Sequence, residues 1–517
     1  MLRLIREQRW FFLGTTLAAL TLRLFFFVYF PAVTDDSRIY ADLATNWLQH
    51  GIYGQTQLIQ PVKQIVPTDT RLPGYPAFLA GIFWLFGAGN FKAVLLAQIL
   101  LDLATCLVLA DLARRAISER AARIAFVLAA LCPFLADYAS AVLTETLEIF
   151  FTALALDGAI AALNRMHATG AGKGAGRLWA ATGAAIAACI LLRPDGGILL
   201  AAVALYLIVV APKGASESSV ETRQAPSLHG EDLAASLKRC ADTNPGGAKA
   251  MLHTKAEFFR SRLAAGIIVV VCALAPLAPW TIRNFRTLHH FQPLAPRYAN
   301  ETDELAPRGF NRWVKTWIVD YASVEEIYWN VPGDNIDPEK LPSRAIDTPA
   351  ERERTLAVIA DYNQSRELTP ELDARFDNLA ADRIRAHRVR YYVVLPLLRV
   401  ADMWLRPRTE ILPPDVRWWE FNDDAKESVI AVGFGLLNLA YVVGAMLAIV
   451  PRPPRSWSGI RRVGLLIGFV LLRSAFLGTL GNPEPRYTLE CYPVVILLAA
   501  AYLVCATEQQ RRSESRI

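Results

Sequence analysis

Residues 35–76 read DDSRIYADLATNWLQHGIYGQTQLIQPVKQIVPTDTRLPGYP and separate two apolar runs, residues 10–30 and 91–113. The stretch opens with two adjacent carboxylates, Asp35 and Asp36, and closes with Arg71 before a Pro-Gly-Tyr-Pro turn. Each flanking run has the roughly 20 apolar residues that a helix needs to cross about 30 Å of hydrocarbon. The stretch is therefore predicted to lie at a membrane surface, either as a solvated connector or as a loop that carries chemistry.

The composition places the whole chain in a membrane. Of its 517 residues, 53% are hydrophobic and 20% are charged, which is too apolar for a soluble enzyme of this size. The net charge of +6 comes from basic residues in short segments beside the apolar runs, where they set orientation, so no nucleic-acid partner is predicted. The seven cysteines show no metal-ligand spacing, and neither a disulfide framework nor a metal site follows from them.

Apolar segments of spanning length recur along the chain and predict an all-α polytopic membrane protein with about ten transmembrane helices. Eight are single spans near residues 10–30, 91–113, 121–139, 141–163, 263–280, 429–450, 463–480 and 487–505. Residues 178–210 have room for only two short or tilted helices, hinged at Arg193-Pro194-Asp195. The apolar run at residues 76–86 is too short to span and is predicted to be an interfacial helix.

Lysine and arginine residues in the short connections fix the orientation of these spans. An even number of spans puts every basic connection on the cytoplasmic side and leaves residues 35–76 outside. The chain then divides into an N-terminal transmembrane module (1–212) with its first external loop at 31–90, a flexible cytoplasmic loop (213–262), a transmembrane helix (263–282), an external, mainly helical segment (283–426), and C-terminal transmembrane helices with a cytoplasmic tail (427–517).

Ionisable side chains within apolar segments cost about 2.5–3.5 kcal/mol each, so each needs a partner or a purpose. The candidates are Arg23, Asp102, Glu145, Glu148, Asp157, Arg193, Asp195 and Arg473. Six charged residues from separate stretches are predicted to meet at the external face, namely Asp36, Arg71, Glu145, Arg193, Arg283 and Arg486. Charges of both signs at one depth indicate a cavity lined by carboxylates and guanidinium groups.

At these residues the sequence resembles the GT-C glycosyltransferases. The branch it resembles is bacterial, similar to the dolichyl-phosphate-mannose-protein mannosyltransferases (glycosyltransferase family 39) and to the aminoarabinose transferases of lipid A. The motifs that carry the resemblance are, in chain order, Asp36-x-x-x-Tyr40, Arg71-Leu72-Pro73-Gly74-Tyr75-Pro76, Thr144-Glu145, Leu192-Arg193-Pro194, Pro279-Trp280-x-x-Arg283-Asn284 and Arg486-Tyr487. Each motif alone is loose, and the ordered set is what makes the resemblance specific.

The resemblance implies a GT-C-like helical bundle and an enzyme, a hexosyl- or pentosyltransferase. Such an enzyme moves a sugar from a polyprenyl-phosphate donor to a protein, lipid or glycan acceptor, with inversion at the anomeric carbon. The resemblance also places the reaction on the extracytoplasmic side of the bacterial inner membrane. It implies no certain cofactor, and a divalent metal ion stays an open alternative.

The resemblance also assigns roles to residues. The family's first-loop acid maps onto Asp36 as the general base. Ser37 stands where many relatives have Glu, so Asp35 and Glu145 are further candidates for an assisting acid. The residues implied to bind the donor are Arg71, Tyr75, Arg193, Arg283, Asn284, Arg486, Tyr487 and Tyr40.

The residue types suit this reaction on chemical grounds. A carboxylate accepts the proton of the attacking hydroxyl, and a planar guanidinium gives two parallel charge-assisted bonds to the leaving phosphate. Two other functions stay open, a polytopic transporter or flippase and a ligase or polymerase of lipid-linked polysaccharide. The sequence shows no internal repeat of similar halves, which many transporters have, and its charges are predicted at one face and not at the midplane.

Overall fold

The chain folds as a bundle of helices, which a computed structural model describes for residues 1–59, 62–169, 174–209, 245–296, 298, 305–421, 425–449 and 460–514. The first helices are α1 (Leu2–Glu7), α2 (Arg9–Tyr29), α3 (Asp35–His50), α4 (Gly74–Phe86), α5 (Phe91–Ala116), α6 (Glu119–Ala130), α7 (Pro133–Tyr138), α8 (Glu145–Thr169), α9 (Gly176–Leu192) and α10 (Gly197–Val209). They are followed by α11 (Pro245–Leu274), α12 (Leu277–Leu288), α13 (Arg308–Val314), α14 (Tyr321–Ser323), α15 (Pro349–Ser365), α16 (Pro370–Ala386), α17 (Leu395–Leu405), α18 (Ala425–Ile449), α19 (Ile460–Gly478) and α20 (Tyr492–Glu514). Short 3₁₀ turns occupy Pro194–Gly196, Pro338–Lys340, Ser343–Ala345 and Pro485–Cys491, and π turns occupy Val324–Tyr328 and Arg390–Val394.

The length and hydropathy of the helices indicate an integral membrane protein. Within the described ranges, six helical stretches are long and apolar enough to cross a membrane by length and composition, namely Arg9–Tyr29, Phe91–Ala116, Glu145–Ala168, Phe259–Leu288, Ala425–Ile449 and Pro485–Arg511. Four shorter apolar helices accompany them, at Gly74–Phe86, Gly176–Leu192, Pro194–Val209 and Val463–Gly478. The short pair at 176–192 and 194–209 is the hairpin predicted from the sequence.

One predicted span is wrong in detail. Residues 121–139 do not form one continuous helix, because α6 ends at Ala130 and α7 begins only at Pro133. Proline has no N–H to donate to the preceding turn, which favours it at the first position of a new helix. At 1.5 Å per residue, the 12 residues of α6 reach only about 18 Å, less than the hydrocarbon thickness.

A two-stranded antiparallel hairpin interrupts the helical pattern and was not predicted. Its strands are β1 (Gly54–Ile59) and β2 (Val62–Pro67), paired from Gly54 opposite Pro67 to Ile59 opposite Val62. The hairpin is tied to α3 by Asn46, whose Nδ2 donates to the Gly54 carbonyl at 2.9 Å. The first loop is therefore an ordered helix-hairpin-helix unit.

Helices α13 to α16 form a separate helical unit (residues 308–386) with its own apolar core. The core is built on large aromatic side chains that are fully buried, among them Phe310, Trp313, Trp317 and Phe376. The described part of the segment predicted to be mainly helical is helical, and it is broken into several short helices. A π turn at Arg390–Val394 precedes α17, and Pro396 lies in the first turn of that helix.

Arg399 joins the helical unit to the membrane helices. This arginine is fully buried on α17. Its Nε donates to the Ile318 carbonyl at 2.9 Å, and its Nη1 donates to the Gly478 carbonyl at the end of α19 at 3.4 Å. The unit is thus held beside the segment that follows α19, where Arg486 lies.

Most of the loop predicted to be flexible, residues 213–244, lies outside the described residues. The remainder, residues 245–262, is helical and continues into the apolar part of α11. The helix ends at Leu274, and Pro276 separates it from α12.

Candidate functional site

Asp36 lies in the first turn of α3, and a capping box fixes its position. The Thr34 hydroxyl accepts from the Ser37 N–H at 3.3 Å, and the Ser37 hydroxyl accepts from the Thr34 N–H at 2.9 Å. Reciprocal bonds of this kind satisfy two backbone donors at a helix start. The Asp36 carboxylate is 3.1 Å from Arg71 Nη2 and 3.7 Å from Arg486 Nη2. Three stretches far apart in the sequence therefore meet at this carboxylate.

The charge of Asp36 is set by these two arginines. Burial raises the pKa of the carboxyl group, but Arg486 and Arg71 lower it by more, so the net pKa lies below its usual range. The side chain keeps 34% of its surface exposed. At neutral pH it is a carboxylate that is still reachable from outside, as a base that accepts a proton must be.

Asp35 is separated from this cluster. Its side chain is 94% exposed and pairs with Arg38 at 3.2 Å, one helical turn further on. Successive residues of a helix point about 100° apart, so only one of two adjacent acids can face the arginines. The structure thus gives Asp35 no contact with the charges around Asp36 by which it would assist as a second acid.

Arg486 stands at the centre of the cluster. Its Nε donates to Glu484 Oε2 at 2.6 Å, while its two terminal nitrogens lie 3.7 Å from Asp36 and from Glu145. Glu145 begins α8 and is nearly fully buried, and its Oε2 has no hydrogen-bond partner among the described residues. Because 3.7 Å is too long for a hydrogen bond, the terminal N–H groups of Arg486 are aimed at acids without being bonded to them.

Arg193 approaches the same cluster from the hinge after α9. Its guanidinium lies 3.8 Å from Glu145, 3.6 Å from Glu148 and 3.4 Å from Asp195. Its central carbon sits 4.6 Å from the centroid of the Tyr487 ring. Tyr487 therefore acts as an aromatic platform under this cation, an arrangement that holds an arginine in place without using its donors.

A close backbone contact keeps the turn of Arg71 next to that hinge. A Cβ on Gly74, three residues after Arg71, would lie 2.6 Å from the Leu191 carbonyl oxygen near the end of α9. Only glycine allows the start of α4 to approach α9 this closely. The predicted Arg71-x-x-Gly74 motif thus holds the turn that carries Arg71 beside the end of α9.

Tyr40 and Tyr75 lie behind the charged cluster. The Tyr75 hydroxyl is fully buried and donates to Gln98 Oε1 at 2.7 Å. Its ring meets the Tyr40 ring edge to face, with centroids 5.1 Å apart. Burial raises the pKa of Tyr40, which keeps the phenol neutral. The two rings pack α3 against α4, and the Tyr75 hydroxyl already donates to the side chain of Gln98.

Arg283 and Asn284 do not reach the cluster, contrary to the predicted convergence of six charges. Arg283 Nη1 donates to the Thr68 carbonyl at 2.7 Å, and Nη2 donates to the Tyr53 carbonyl. Asn284 is buried and donates to the Gln292 carbonyl at 2.8 Å. Arg283 thus fastens the first loop to α12, and Asn284 holds the segment that follows α12.

Sequence reasoning missed one acid of the cluster. Glu484 is buried and holds both Arg486 and the hydroxyl of Tyr487, which donates to its Oε1. Its only sequence signal is its place two residues before the Arg486-Tyr487 motif. Glu148, Asp195 and Arg473 were named as charged groups in apolar segments, and the structure places all three around Arg193 or directly behind it.

The acids of this cluster lie beside arginines. Among the described residues, no group of three or more His, Cys, Asp or Glu side chains is arranged to hold one. Each acid of the cluster named here faces a guanidinium instead. The arrangement suits an anion that would insert between Arg193 and Arg486.

Comparison with known families supports the resemblance drawn from the motifs. Residues 68–219 match the family described as dolichyl-phosphate-mannose-protein mannosyltransferase. The chain resembles the GT-C glycosyltransferases. The matched part contains Arg71, Glu145 and Arg193, whereas Asp36 and Arg486 lie outside it. No protein among curated sequences matches the chain.

Solved structures with a similar fold include two kinds of GT-C-like membrane enzyme. The archaeal oligosaccharyltransferase AglB of Archaeoglobus fulgidus, in complex with an inhibitory peptide and a dolichol-phosphate, is 11% identical, with a TM-score of 0.45, over 99% of this chain and 52% of that one. ArnT of Cupriavidus metallidurans is 16% identical, with a TM-score of 0.33 in the apo state and 0.32 bound to undecaprenyl phosphate, over 95% of this chain and 76% or 77% of that one. This chain spans about half the length of AglB.

Proposed function

We propose that this chain is a membrane glycosyltransferase that moves a sugar from a polyprenyl-phosphate donor to an acceptor hydroxyl. Asp36 is the general base, and Arg486, Arg193 and Arg71 bind the phosphate. The reaction takes place on the extracytoplasmic face of a bacterial inner membrane. The basic connections between spans, predicted to be cytoplasmic, support this orientation.

One observation carries the proposal. The guanidinium of Arg193 and the two terminal nitrogens of Arg486 lie 3.4–3.8 Å from their nearest acids, and they are beside an ionised Asp36. A phosphate that enters between them gains charge-assisted bonds without breaking strong ones. A carboxylate beside a phosphate site supplies the two parts that displacement of a lipid phosphate needs.

In the proposed reaction, the acceptor oxygen forms a bond to the anomeric carbon of the donor sugar. The bond from that carbon to the phosphate oxygen breaks, and its electron pair leaves on the phosphate. The acceptor proton moves to the Asp36 carboxylate, and the arginines stabilise the extra charge on the phosphate. A single displacement of this kind inverts the anomeric carbon.

The test uses the full chain in proteoliposomes and undecaprenyl-phosphate sugars that carry a radiolabelled hexose or pentose. Transfer predicts that the label appears in a new product while free undecaprenyl phosphate accumulates. A flippase would move the intact labelled donor across the bilayer. If the label stays on the carrier, or if its transfer does not depend on Asp36, the proposed function is wrong.

A further inference from the structure

A cavity of about 380 Å³ extends from Asp36 away from the membrane helices toward the helical unit. Asp36 and Arg486 line one end, and Tyr321, Glu325 and Trp329 of the helical unit line the other. A second cavity of about 310 Å³ shares Tyr321 and Glu325 and continues along residues 412–416. The proposed base therefore lies at the end of a pocket that is large enough for a small organic ligand.

The walls of this pocket are acidic. Glu325, Glu410 and Glu484 line it together with Asp36, and Arg486 is the guanidinium of the phosphate cluster that reaches it. Arg486 is already paired with Glu484 at 2.6 Å. An anion placed in this pocket would meet five carboxylates, Asp35 and Asp36 included, against one guanidinium, and like charges would repel it. A hydroxyl or an ammonium group would instead donate to them.

One of these carboxylates has unused capacity. Glu410 accepts from the Tyr138 hydroxyl at 3.3 Å through Oε2, and its Oε1 has no hydrogen-bond partner in the part of the chain that the structure describes. Burial raises the pKa of Glu410 and of Glu325. Buried polar atoms are nearly always paired, so an unpaired acceptor at a cavity wall indicates a ligand that brings donors.

The remaining wall is aromatic. Tyr321 and Trp329 meet edge to face with ring centroids 5.7 Å apart, and Trp329 keeps 44% of its surface exposed. Rigid aromatic faces beside hydrogen-bond acceptors suit a ring that has one apolar face and hydroxyl groups at its edge. A pyranose is such a ring.

We propose that this pocket is the acceptor subsite of the proposed transferase and that it takes a glycosyl unit that is neutral or carries an amine. The inference rests on the proposed function and deepens it. The donor phosphate belongs on the other side of Asp36, where Arg71 and Arg193 lie outside the pocket lining. A carboxylated or phosphorylated unit is rejected by the walls.

The test compares three trisaccharides as binding probes for the purified full chain, namely maltotriose, the glucosamine trimer and the galacturonate trimer. Isothermal titration calorimetry is expected to give a Kd in the millimolar range or tighter for maltotriose and the glucosamine trimer. The Kd of the galacturonate trimer is expected to be at least about tenfold weaker. Trp329→Ala is expected to weaken maltotriose binding about five- to tenfold, and Glu325→Gln is expected to reduce the preference for the amine over the acid about fivefold. Trp84→Ala and Glu353→Gln, an exposed tryptophan and an exposed glutamate outside the pocket, are the matched controls and are expected to change neither.

Equal or tighter binding of the galacturonate trimer overturns the proposal, as does the absence of binding by all three probes up to about 20 mM. Unchanged binding in Trp329→Ala also overturns it. The measurement requires no turnover, so its outcome is distinct from that of the transfer assay. If the probes bind as expected but no polyprenyl-phosphate sugar is transferred, the acceptor pocket is supported and the proposed enzyme activity is refuted. If a sugar is transferred to an anionic acceptor, the enzyme activity is supported and the proposed selectivity of the pocket is refuted.

Discussion

Replacing Asp36 by asparagine removes the proposed base and little else. Asparagine has the same shape, keeps its place in the first turn of α3 and cannot take up a proton at neutral pH. A positioned general base contributes about 10²–10⁴ in rate, so kcat is expected to fall by that factor, or about 2.7–5.4 kcal/mol in activation free energy. The Thr34–Ser37 capping box does not involve the carboxylate and should persist.

The expected loss of stability is much smaller than the loss of rate. Asp36 is 34% exposed, so its pairs with Arg71 and Arg486 are partly screened and contribute about 0–1 kcal/mol. Its negative charge at a helix start contributes about 0.3–1 kcal/mol more. The free energy of unfolding should therefore fall by about 0.3–2 kcal/mol. Thermal unfolding in nanodiscs measures this, and single-turnover transfer of a radiolabelled sugar from undecaprenyl phosphate measures the rate.

Asp35→Asn is the matched control because it makes the same substitution one residue earlier. That side chain is 94% exposed and contacts only Arg38 among the charges around it. Asp35 lines the cavity beside Asp36 but is not paired with Arg71 or Arg486, so the rate of this variant should fall by less than about tenfold, well short of the loss expected for Asp36→Asn. A rate for Asp36→Asn within tenfold of the wild type would refute the assignment of the base. An equal loss in Asp35→Asn would show that the helix start matters, and not the proton acceptor.

Three further outcomes follow from the site. Because Arg486 and Arg71 hold the pKa of Asp36 below its usual range, the carboxylate stays ionised above about pH 3.9. The contribution of Asp36 to kcat/KM and to stability should therefore be constant from pH 7 to 5 and be lost only as the pH falls through the lowered pKa. An acidic limb near pH 6 in a pH-rate profile would argue for another base. Arg486→Lys keeps the charge but loses the planar fork, so binding of undecaprenyl phosphate, measured by native mass spectrometry, should weaken about 10–100-fold; unchanged affinity would remove this arginine from the phosphate site. Arg408→Gln removes the buried guanidinium's bonds to the Pro485 carbonyl and the Tyr492 hydroxyl and should lower the free energy of unfolding by about 2–4 kcal/mol in thermal denaturation. Transfer should also be lost because Arg486 directly follows Pro485, and a variant of full stability would contradict this.

Hydropathy predicted most of the membrane helices because a spanning helix must be apolar along about 20 residues, whatever it packs against. The same reasoning failed at residues 121–139, since a window average does not register that Pro133 starts a new helix. It also overlooked the hairpin, which is tied to α3 by the Asn46 amide on the Gly54 carbonyl. An average of hydropathy along the chain does not register such a contact between a helix and a strand.

The cluster itself was predictable for a geometric reason. Residues at the ends of spanning helices lie at the same depth, so Glu145 at the start of α8 and Arg193 at the end of α9 must come close if the helices are neighbours. Arg283 departs from this rule because its donors are bonded to the carbonyls of Thr68 and Tyr53. The depth of a residue can be predicted from a sequence, whereas the backbone groups that accept its hydrogen bonds cannot.

The sequence could not separate arginines that hold the structure from those that are free to bind. Arg408 is fully buried and donates at 2.8 Å to both the Tyr492 hydroxyl and the Pro485 carbonyl. Arg399 is committed to backbone carbonyls in the same way. A phosphate at either would have to displace such bonds, each worth about 1.5–3 kcal/mol when one partner is charged. At Arg193 and the terminal nitrogens of Arg486 the nearest acids are 3.4–3.8 Å away, so a phosphate displaces much weaker contacts. The difference amounts to several kcal/mol in favour of these two arginines, and it depends on hydrogen-bond geometry alone.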